Sequence, residues 1–326
     1  TGAAGFLGCQ FMHYFKTLNE SNNIDKPCNV YAWDNYLRGV PEWMNDLKNN
    51  PGIKINKKDI IKDTDYPHPD YIIHAASIAS PTFYRKYPIE TIDSNVTGLR
   101  NILDYSKDNN VESVLFFSTS EIYGDPDPAH IPTSEDYRGN VSCTGPRACY
   151  DESKRFGETL VINYSKFYNF KSVIVRPFNN YGPGMKLNDK RVIPDIMKNI
   201  IYNNNIIIRS NGSPTRTFCY ISDSIIGYLK AIKNGRSGNA YNIGAKKPEI
   251  SIKEIAKLAK KVSRNILSYD KKIFFKKSTE KDYLIDNPNR RCPDMKKSEK
   301  ELKFRAKINL EKGLYKLLVY YLNLKL

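Results

Sequence analysis

The chain has 326 residues, of which 40% are hydrophobic, enough for one large domain or two smaller ones with a well-buried core. Its net charge of +16 is spread along the sequence without an arginine-rich or aromatic-interleaved tract, which argues against nucleic-acid binding but suits an anionic small substrate. No run approaches the ~18 consecutive apolar residues that a membrane-spanning helix needs, so we expect a cytoplasmic protein with no membrane partner.

The cysteines are scattered singly, without a C-x-x-C pair or a histidine spacing typical of zinc sites. They are Cys9, Cys28, Cys143, Cys149, Cys219 and Cys292. We therefore expect reduced thiols and no bound metal.

The chain opens on a glycine-rich stretch, in which Gly2, Gly5 and Gly8 stand three residues apart. This spacing lets the backbone approach a pyrophosphate, and it points the N-terminus of the following helix, predicted over 6–18, at the phosphate charge. In a dinucleotide-binding fold such a turn follows a central strand. No residues precede the turn here, so we expect the first strand of the sheet to be missing from the sequence.

Asp34 ends the apolar run 30–33. A carboxylate at the end of this strand would accept hydrogen bonds from the ribose hydroxyls of adenosine and would repel a 2′-phosphate, which favours NAD over NADP. The alternative is that Asp34 merely starts a turn.

Beyond the glycine turn, apolar stretches typical of strands alternate with stretches of helical spacing. Strands are predicted over 29–33, 71–75, 113–118 and 172–175, and helices over 89–107 and 150–168. The alternation indicates an α/β fold with a doubly wound parallel sheet, in which 1–177 form a Rossmann domain. Residues 178–326 are predicted to form mainly a smaller substrate-binding lobe, with some segments returning to the sheet. Its helices are predicted over 194–203, 223–233, 252–262 and 310–322, and a strand over 206–209.

Tyr150 and Lys154 stand four residues apart, so on a helix they share one face. An ammonium in that position lowers the pKa of the phenol, which could then remove a proton from a hydroxyl while hydride leaves for nicotinamide. Such a pair often arises by chance in a chain with 23 tyrosines. The order of the motifs favours a functional pair over a chance occurrence. The glycine turn is followed by 118–121 at a strand end and then by the Tyr150/Lys154 pair at the start of the next helix.

Several longer stretches resemble the extended short-chain dehydrogenase family of nucleotide-sugar epimerases, dehydratases and decarboxylases. They are Thr1 to Gly8, His74-Ala75-Ala76, Asn95, 118–124 and 176–183. Within that family, three further strings are most similar to the UDP-glucuronate decarboxylases, and they are 145–155, 215–220 and 290–294. The resemblance covers nearly the whole chain.

The resemblance implies an NAD-dependent enzyme with a UDP-sugar substrate and four catalytic residues. Thr119 would hydrogen-bond the hydroxyl that is oxidised, Tyr150 would act as the base, Lys154 would hold Tyr150 and the nicotinamide ribose, and Glu121 would handle the sugar carboxylate and ring. The implied cofactor-binding residues are Gly2, Gly5, Phe6, Leu7, Gly8, Asp34, Asn35, Asp59, Ile60, Ala75, Ala76, Asn95, Tyr150, Lys154 and Pro177. The implied substrate-binding residues are Ser80, Glu121, Asn179, Arg191, Arg216, Tyr220 and Arg291.

Decarboxylation through a 4-keto sugar is the expected reaction, giving UDP-xylose or the 4-keto pentose, with a role in polysaccharide biosynthesis. Two departures from the family pattern lie near the substrate, the loop 77–81 and Gly184 in place of a common arginine, and they leave the sugar open. A dTDP-glucose 4,6-dehydratase is a rival, but Ser120 replaces the acid that such enzymes use. A 4-epimerase stays open. A non-catalytic NAD- and RNA-binding scaffold would be expected to lack Tyr150 or Lys154, and both are present.

In related enzymes, helices equivalent to 89–107 and 150–168 pair across a two-fold axis as a four-helix bundle. We therefore expect a homodimer.

Overall fold

The computed structural model describes residues 1–21, 24–276, 278 and 285–325. The helices are α1 (Phe6–Glu20), α2 (Pro81–Lys86), α3 (Pro88–Asn95), α4 (Thr97–Asp108), α5 (Ala148–Phe167), α6 (Val192–Ile201), α7 (Ile221–Asn234), α8 (Ile252–Leu267), α9 (Lys296–Glu301) and α10 (Leu310–Lys325). The strands are β1 (Val30–Asp34), β2 (Ile53–Lys57), β3 (Tyr71–His74), β4 (Ser113–Phe117), β5 (Ser172–Pro177), β6 (Asn180–Tyr181), β7 (Ile206–Ile208), β8 (Thr215–Arg216), β9 (Cys219–Tyr220), β10 (Ala240–Ile243), β11 (Ile250–Ser251), β12 (Ile273–Phe275) and β13 (Arg290–Arg291). Short 3-10 helices lie at Glu42–Leu47, Ser120–Tyr123 and Pro128–His130.

A parallel sheet with strand order β10-β5-β4-β3 forms the centre of the molecule. Every residue of β4 is buried, as are the first five of β5, because these apolar strands are covered on both faces by helices. A second parallel pair, β1 with β2, continues the arrangement beyond β3. The expected α/β doubly wound fold is confirmed.

The glycine turn joins the two parts of this sheet. The terminal ammonium of Thr1 donates to the carbonyl of Ile73 at 2.7 Å, and Ala75 N–H donates back to the carbonyl of Thr1 at 3.2 Å. On the other side, Ala3 N–H donates to the carbonyl of Trp33 at 3.1 Å. The turn therefore sits at the carboxyl ends of β1 and β3, where ligands bind in such folds.

The later part of the chain builds a smaller lobe and also returns to the main sheet. In the lobe, β7 pairs with β12, and β8 lies between β11 and β13. Beyond residue 177, β10 pairs with β5 and α7 packs against β4 and β5. These returns agree with the expected organisation, whose division at residue 177 stays a prediction. Among the described residues, the structure contains no helix with the length and apolar character needed to span a bilayer.

One expected helix is wrong in its extent. The segment 89–107 forms two helices, since α3 ends at Asn95 and α4 begins at Thr97, with Val96 between them at φ −111° and ψ −65°. The apolar spacing runs on through the junction, so periodicity could not reveal the break. The buried Asn95 side chain donates to Ser153 Oγ at 2.8 Å, which ties this junction to α5.

Substituting Gly8 with alanine tests the packing of the glycine turn. A Cβ at Gly8 would lie 2.3 Å from the carbonyl oxygen of Gly2 and 2.5 Å from that of Ala3, so the backbone would have to move. Gly39→Ala is the control, because Gly39 has φ +78° but open space around it. The control should lower the free energy of unfolding by about 1 kcal/mol from its left-handed backbone alone. Gly8→Ala should lower it further in denaturant titrations, and equal or smaller losses would contradict this account of the turn.

Candidate active site

A cavity of about 640 Å³ opens at the carboxyl ends of the central strands. The predicted residues on its wall extend from the glycine turn to Arg291, and they include Thr119, Glu121, Tyr150 and Lys154. The fold thus brings together, in one space, residues that lie up to 289 positions apart in the chain (from Gly2 to Arg291). Two of the predicted contacts, Asn95 and Tyr220, are not among the residues that line it.

Asn95 and Tyr220 make contacts elsewhere in the structure. Asn95 is fully buried and donates to Ser153 on α5, so it supports the helix that carries Tyr150 and Lys154. Tyr220 packs edge-on against Tyr181 at 5.6 Å, within a hydrophobic core that the lobe shares with the central sheet. These positions do not support the expected direct contacts of Asn95 with the cofactor and of Tyr220 with the substrate.

The end of the cavity at the glycine turn fits a dinucleotide. Gly2 has φ +75°, and a Cβ there would lie 2.6 Å from the backbone nitrogen of Ala76, so only glycine leaves the backbone this close. Gly5 precedes α1, whose first turn carries no acidic residue and so leaves the positive end of the helix free for phosphate. Asp59 and Ile60 form part of the wall beyond Asp34.

Asp34 is a turn residue and also lies on the cavity wall, so its expected contact with the ribose stays a prediction. Its carboxylate accepts hydrogen bonds from the backbone N–H of Tyr36 at 2.8 Å, which makes it a turn residue. It also accepts from the N–H of Ala4 in the glycine turn at 2.9 Å, and it lies on the cavity wall. The turn contact therefore holds the carboxylate beside the space where an adenosine ribose would sit.

Another part of the cavity wall, which carries the predicted catalytic residues, is built on α5 and the end of β4. Lys154 is almost fully buried, and its ammonium donates to the carbonyl of Phe117 at 2.7 Å. Tyr150 stacks on Tyr84 with ring centroids 5.2 Å apart. Lys154 Nζ lies 6.0 Å from the centroid of the Tyr150 ring, so the two side chains share one side of α5 as expected. Thr119 lies two residues after the end of β4 and also lines the cavity.

Burial dominates the acidities of this pair. It raises the pKa of Tyr150 to about 12, although a hydrogen bond from Thr119 opposes the rise. Burial also lowers the pKa of Lys154 to about 7. The expected acidification of the phenol by the lysine is therefore outweighed by desolvation in the protein alone, and a nearby positive charge is needed before Tyr150 can act as a base.

An ion cluster of Glu121, Arg147 and Arg291 lies on the cavity wall. Glu121 accepts from Arg147 on one carboxylate oxygen and from Arg291 on the other. Arg147 also donates from Nε to Asp151 at 3.3 Å. Arg147 was missed by the sequence analysis, although it belongs to the family-like string 145–155 that pointed to Tyr150. Arg147 precedes α5, and the sequence string does not show that its side chain lies on the cavity wall.

Three further predicted side chains form hydrogen bonds within the cavity wall. Arg191 forms a bidentate pair with the buried Asp189, at 2.5 and 3.0 Å. Asn179 donates from its amide to the carbonyl of Thr217 at 2.9 Å. Ser80 donates to the carbonyl of Asp189 at 3.1 Å, so it helps to hold the partner of Arg191.

The backbone at Gly184 explains why a glycine stands there. Its φ is +85°, a conformation that L side chains rarely adopt, so an arginine at position 184 would be strained. A Cβ there would also lie 2.8 Å from Nε2 of Gln10, which donates to the carbonyl of Pro183 at 2.8 Å and would have to shift.

Comparisons with known proteins agree with this arrangement. Residues 1–244 match the family model of the NAD dependent epimerase/dehydratase family. UDP-glucuronic acid decarboxylase 6 of Arabidopsis thaliana is 33% identical over 314 residues, which are 96% of this chain and 85% of that protein. UDP-glucuronic acid decarboxylase 1 of Xenopus tropicalis is 33% identical over 321 residues, covering 98% and 71%.

Solved structures show the same fold at lower identity. The UDP-glucose 4-epimerase of Thermotoga maritima superposes with a TM-score of 0.83 at 22% identity, covering 100% of this chain and 98% of that one. The UDP-glucuronic acid 4-epimerase of Bacillus cereus, solved with UDP-glucuronic acid and NAD, gives 0.81 at 24% identity, covering 99% and 98%.

The acidity of Tyr150 can be tested by titration. Near-ultraviolet difference spectra of the wild type minus Tyr150→Phe should show no phenolate from Tyr150 up to about pH 10 in protein free of NAD, because burial holds its pKa near 12. Addition of NAD should bring a phenolate signal in at lower pH, since the cofactor introduces a positive charge. A Tyr150 phenolate near pH 8 without cofactor would contradict the dominance of desolvation.

Proposed function

The chain belongs to the NAD-dependent epimerase/dehydratase family, and from that premise we propose that it converts UDP-glucuronate, by way of a 4-keto sugar, into UDP-xylose or the 4-keto pentose. It is an NAD-dependent enzyme that modifies a nucleotide sugar. The observation that carries the proposal is one cavity in which Thr119, Tyr150 and Lys154 lie beside a glutamate held by two arginines.

The first step is an oxidation at C4 of the sugar. NAD supplies the hydride acceptor. Tyr150 would take the proton of the C4 hydroxyl, and Thr119, which lies within hydrogen-bonding reach of Tyr150, would align that hydroxyl. Lys154, anchored on Phe117, would hold the phenolate and contribute its charge when protonated. Burial of all three side chains excludes water from the reacting carbon.

The second step is the loss of carbon dioxide. A ketone at C4 stands β to the carboxylate on C5, so the electrons of the breaking C–C bond form an enolate instead of an isolated carbanion. Arg147 and Arg291 line the cavity and can stabilise negative charge on the sugar. Protonation at C5 and return of hydride to C4 then give UDP-xylose, while release before that return gives the 4-keto pentose.

The cavity gives less support to dehydration. Expulsion of water from C5 and C6 needs a free acid beside the sugar, and Ser120 is a buried serine at that position. The adjacent Glu121 is already paired with two guanidinium groups. The relatives named above as decarboxylases, which match nearly the whole chain, favour the carboxy-lyase reaction.

A product assay tests this function and the proposed base together. NAD and UDP-glucuronate should yield a product that is lighter in mass spectrometry by one carbon dioxide for UDP-xylose, or by one carbon dioxide and two hydrogens for the 4-keto pentose. Tyr150→Phe should lower turnover by roughly 10²- to 10⁴-fold, the usual contribution of a general base. Tyr315→Phe, an exposed tyrosine on α10, is the control and should match wild type. Loss of water, or an unchanged mass with altered retention, would replace decarboxylation by dehydration or epimerisation.

We also propose a cytoplasmic homodimer with a role in polysaccharide biosynthesis. A nucleotide-activated pentose is a donor that polysaccharide synthesis can use. The six cysteines are free thiols, which is typical of proteins in a reducing compartment such as the cytoplasm. The dimer is supported by an exposed apolar surface on α3 and α5, formed by Ile89, Ile92 and Phe156, of which Ile89 is 64% and Phe156 50% exposed.

Sedimentation of a surface variant tests the dimer. The wild type should sediment as a dimer at micromolar concentration, and Phe156→Glu should sediment as a monomer, because a charge would be buried in the apolar contact. Phe167→Glu is the control, since Phe167 is exposed at the last residue of α5, about three helical turns beyond Phe156. A monomeric wild type, or a dimeric Phe156→Glu, would rule out this interface.

A further inference from the structure

Tyr84 lies on α2 and packs face to face with the proposed base. The planes of the Tyr84 and Tyr150 rings are 7° apart and their centroids 5.2 Å apart, so the two rings are stacked in parallel. Both side chains are buried, with 1% of Tyr84 and 6% of Tyr150 exposed. In a close-packed interior, rotation of either ring would bring it into collision with the other. Tyr84 therefore limits the orientations that the Tyr150 ring can adopt.

The backbone of Tyr84 is held at both of its polar groups. Its N–H donates to the carbonyl of Ser80 at 3.0 Å, in the first turn of α2. Its carbonyl accepts from the thiol of Cys149 at 3.6 Å, and Cys149 is the residue before Tyr150 on α5. The two tyrosines are thus connected through the backbone of α2 as well as through their rings. The ring of Tyr84 is therefore presented to Tyr150 from a fixed position.

The Tyr84 side chain contributes its ring, and no charge, to the surroundings of Tyr150. Its hydroxyl is buried and has no hydrogen-bond partner among the described residues. Burial raises the pKa of Tyr84, against the opposing effect of the nearby Arg147, so the phenol stays neutral. The charged groups that face Tyr150 are Asp151, Arg191 and Arg147, with Lys154 one helical turn away.

Tyr84 also covers one face of the phenol against water. The two rings form a small apolar cluster with Ile78, and Phe83 and Tyr87 pack against it. Burial is the largest cause of the raised pKa of Tyr150, which reaches about 12. A smaller side chain in place of Tyr84 would let water approach the phenol from the cavity, because both tyrosines line its wall. Water there would stabilise the phenolate.

We propose that Tyr84 is a positioning residue for the proposed base, whose ring holds the phenol of Tyr150 beside Thr119 and keeps water from it. The contact of Lys154 with Phe117 fixes the helix, and the stack fixes the ring on that helix. The inference rests on the proposed function, because it concerns the residue that removes the proton. It adds a second tyrosine that acts only through the first.

Titration of Tyr150 tests the stack without any turnover. In protein free of NAD, the phenolate is measured as the spectrum of each Tyr84 variant minus that of the same variant carrying Tyr150→Phe. Tyr84→Leu keeps an apolar side chain but removes the planar ring, so the pKa of Tyr150 should fall by about one unit. At about pH 11, roughly half of Tyr150 should then be ionised, against roughly a tenth in the wild type. Tyr84→Phe keeps the ring and should match the wild type.

Turnover of UDP-glucuronate at saturating NAD gives a second measurement. Tyr84→Leu should lower kcat by roughly 10- to 100-fold, because a misplaced base reacts poorly, and should change KM by less than about threefold. Tyr84→Phe should keep kcat within about twofold of the wild type.

Tyr66→Leu is the matched control. Tyr66 stacks on Trp33 with centroids 4.9 Å apart, is buried, and has a hydroxyl that likewise lacks a partner within the part of the chain that the structure describes. It is not among the cavity-lining residues. Loss of its ring should therefore change neither the Tyr150 titration nor kcat.

An unchanged titration together with an unchanged kcat in Tyr84→Leu would overturn the inference. A loss of kcat in Tyr84→Phe would also overturn it, since the hydroxyl would then carry the effect. Equal losses in Tyr84→Leu and Tyr66→Leu would reduce Tyr84 to a support of the fold. A failure of the proposed function would look different: the wild type would release no carbon dioxide, while the Tyr150 titration would still shift in Tyr84→Leu alone.

Discussion

The hydrogen bond from the Lys154 ammonium to the carbonyl of Phe117 is the contact on which the site depends. It joins α5 to the carboxyl end of β4, which ends two residues before Thr119. Because Tyr150 is one helical turn before Lys154, fixing the lysine also fixes the phenol beside Thr119. The cost of burying this ammonium appears in its pKa, which falls to about 7.

The two ends of the cavity differ in charge, and the difference assigns each end a ligand. The glycine turn offers the positive end of α1 and the carboxylate of Asp34, a combination suited to phosphate and ribose. Another part of the wall carries Arg147, Arg216 and Arg291, with the carboxylate of Glu121 on the wall and that of Asp151 behind Arg147. Two carboxylates against three guanidinium groups leave one positive charge unbalanced, which suits an anionic nucleotide sugar.

The sequence was sufficient for the fold and for the main parts of the site, since short motifs fix local geometry. Glycine spacing predicted the turn, and the four-residue spacing of Tyr150 and Lys154 predicted their common face. The features that the sequence did not predict depend on tertiary packing. The break at Val96 lies inside unbroken helical periodicity, and the raised pKa of Tyr150 depends on burial that no motif encodes. Arg147 was missed, because the direction of a side chain is set by its neighbours in the fold. The cofactor contact of Asn95 stays a prediction, and its side chain donates to Ser153.

Transfer of the C4 hydrogen as hydride is the central chemical claim, and isotopic labelling tests it most directly. UDP-glucuronate carrying deuterium at C4 would be turned over with NAD, and the label followed by nuclear magnetic resonance in sugar, cofactor and water. The account predicts that the deuterium stays on C4 of UDP-xylose, or on the reduced cofactor when the 4-keto pentose is released. Appearance of the label in water would mean that C4 loses a proton instead, and it would contradict the oxidation assigned to Tyr150, Thr119 and Lys154.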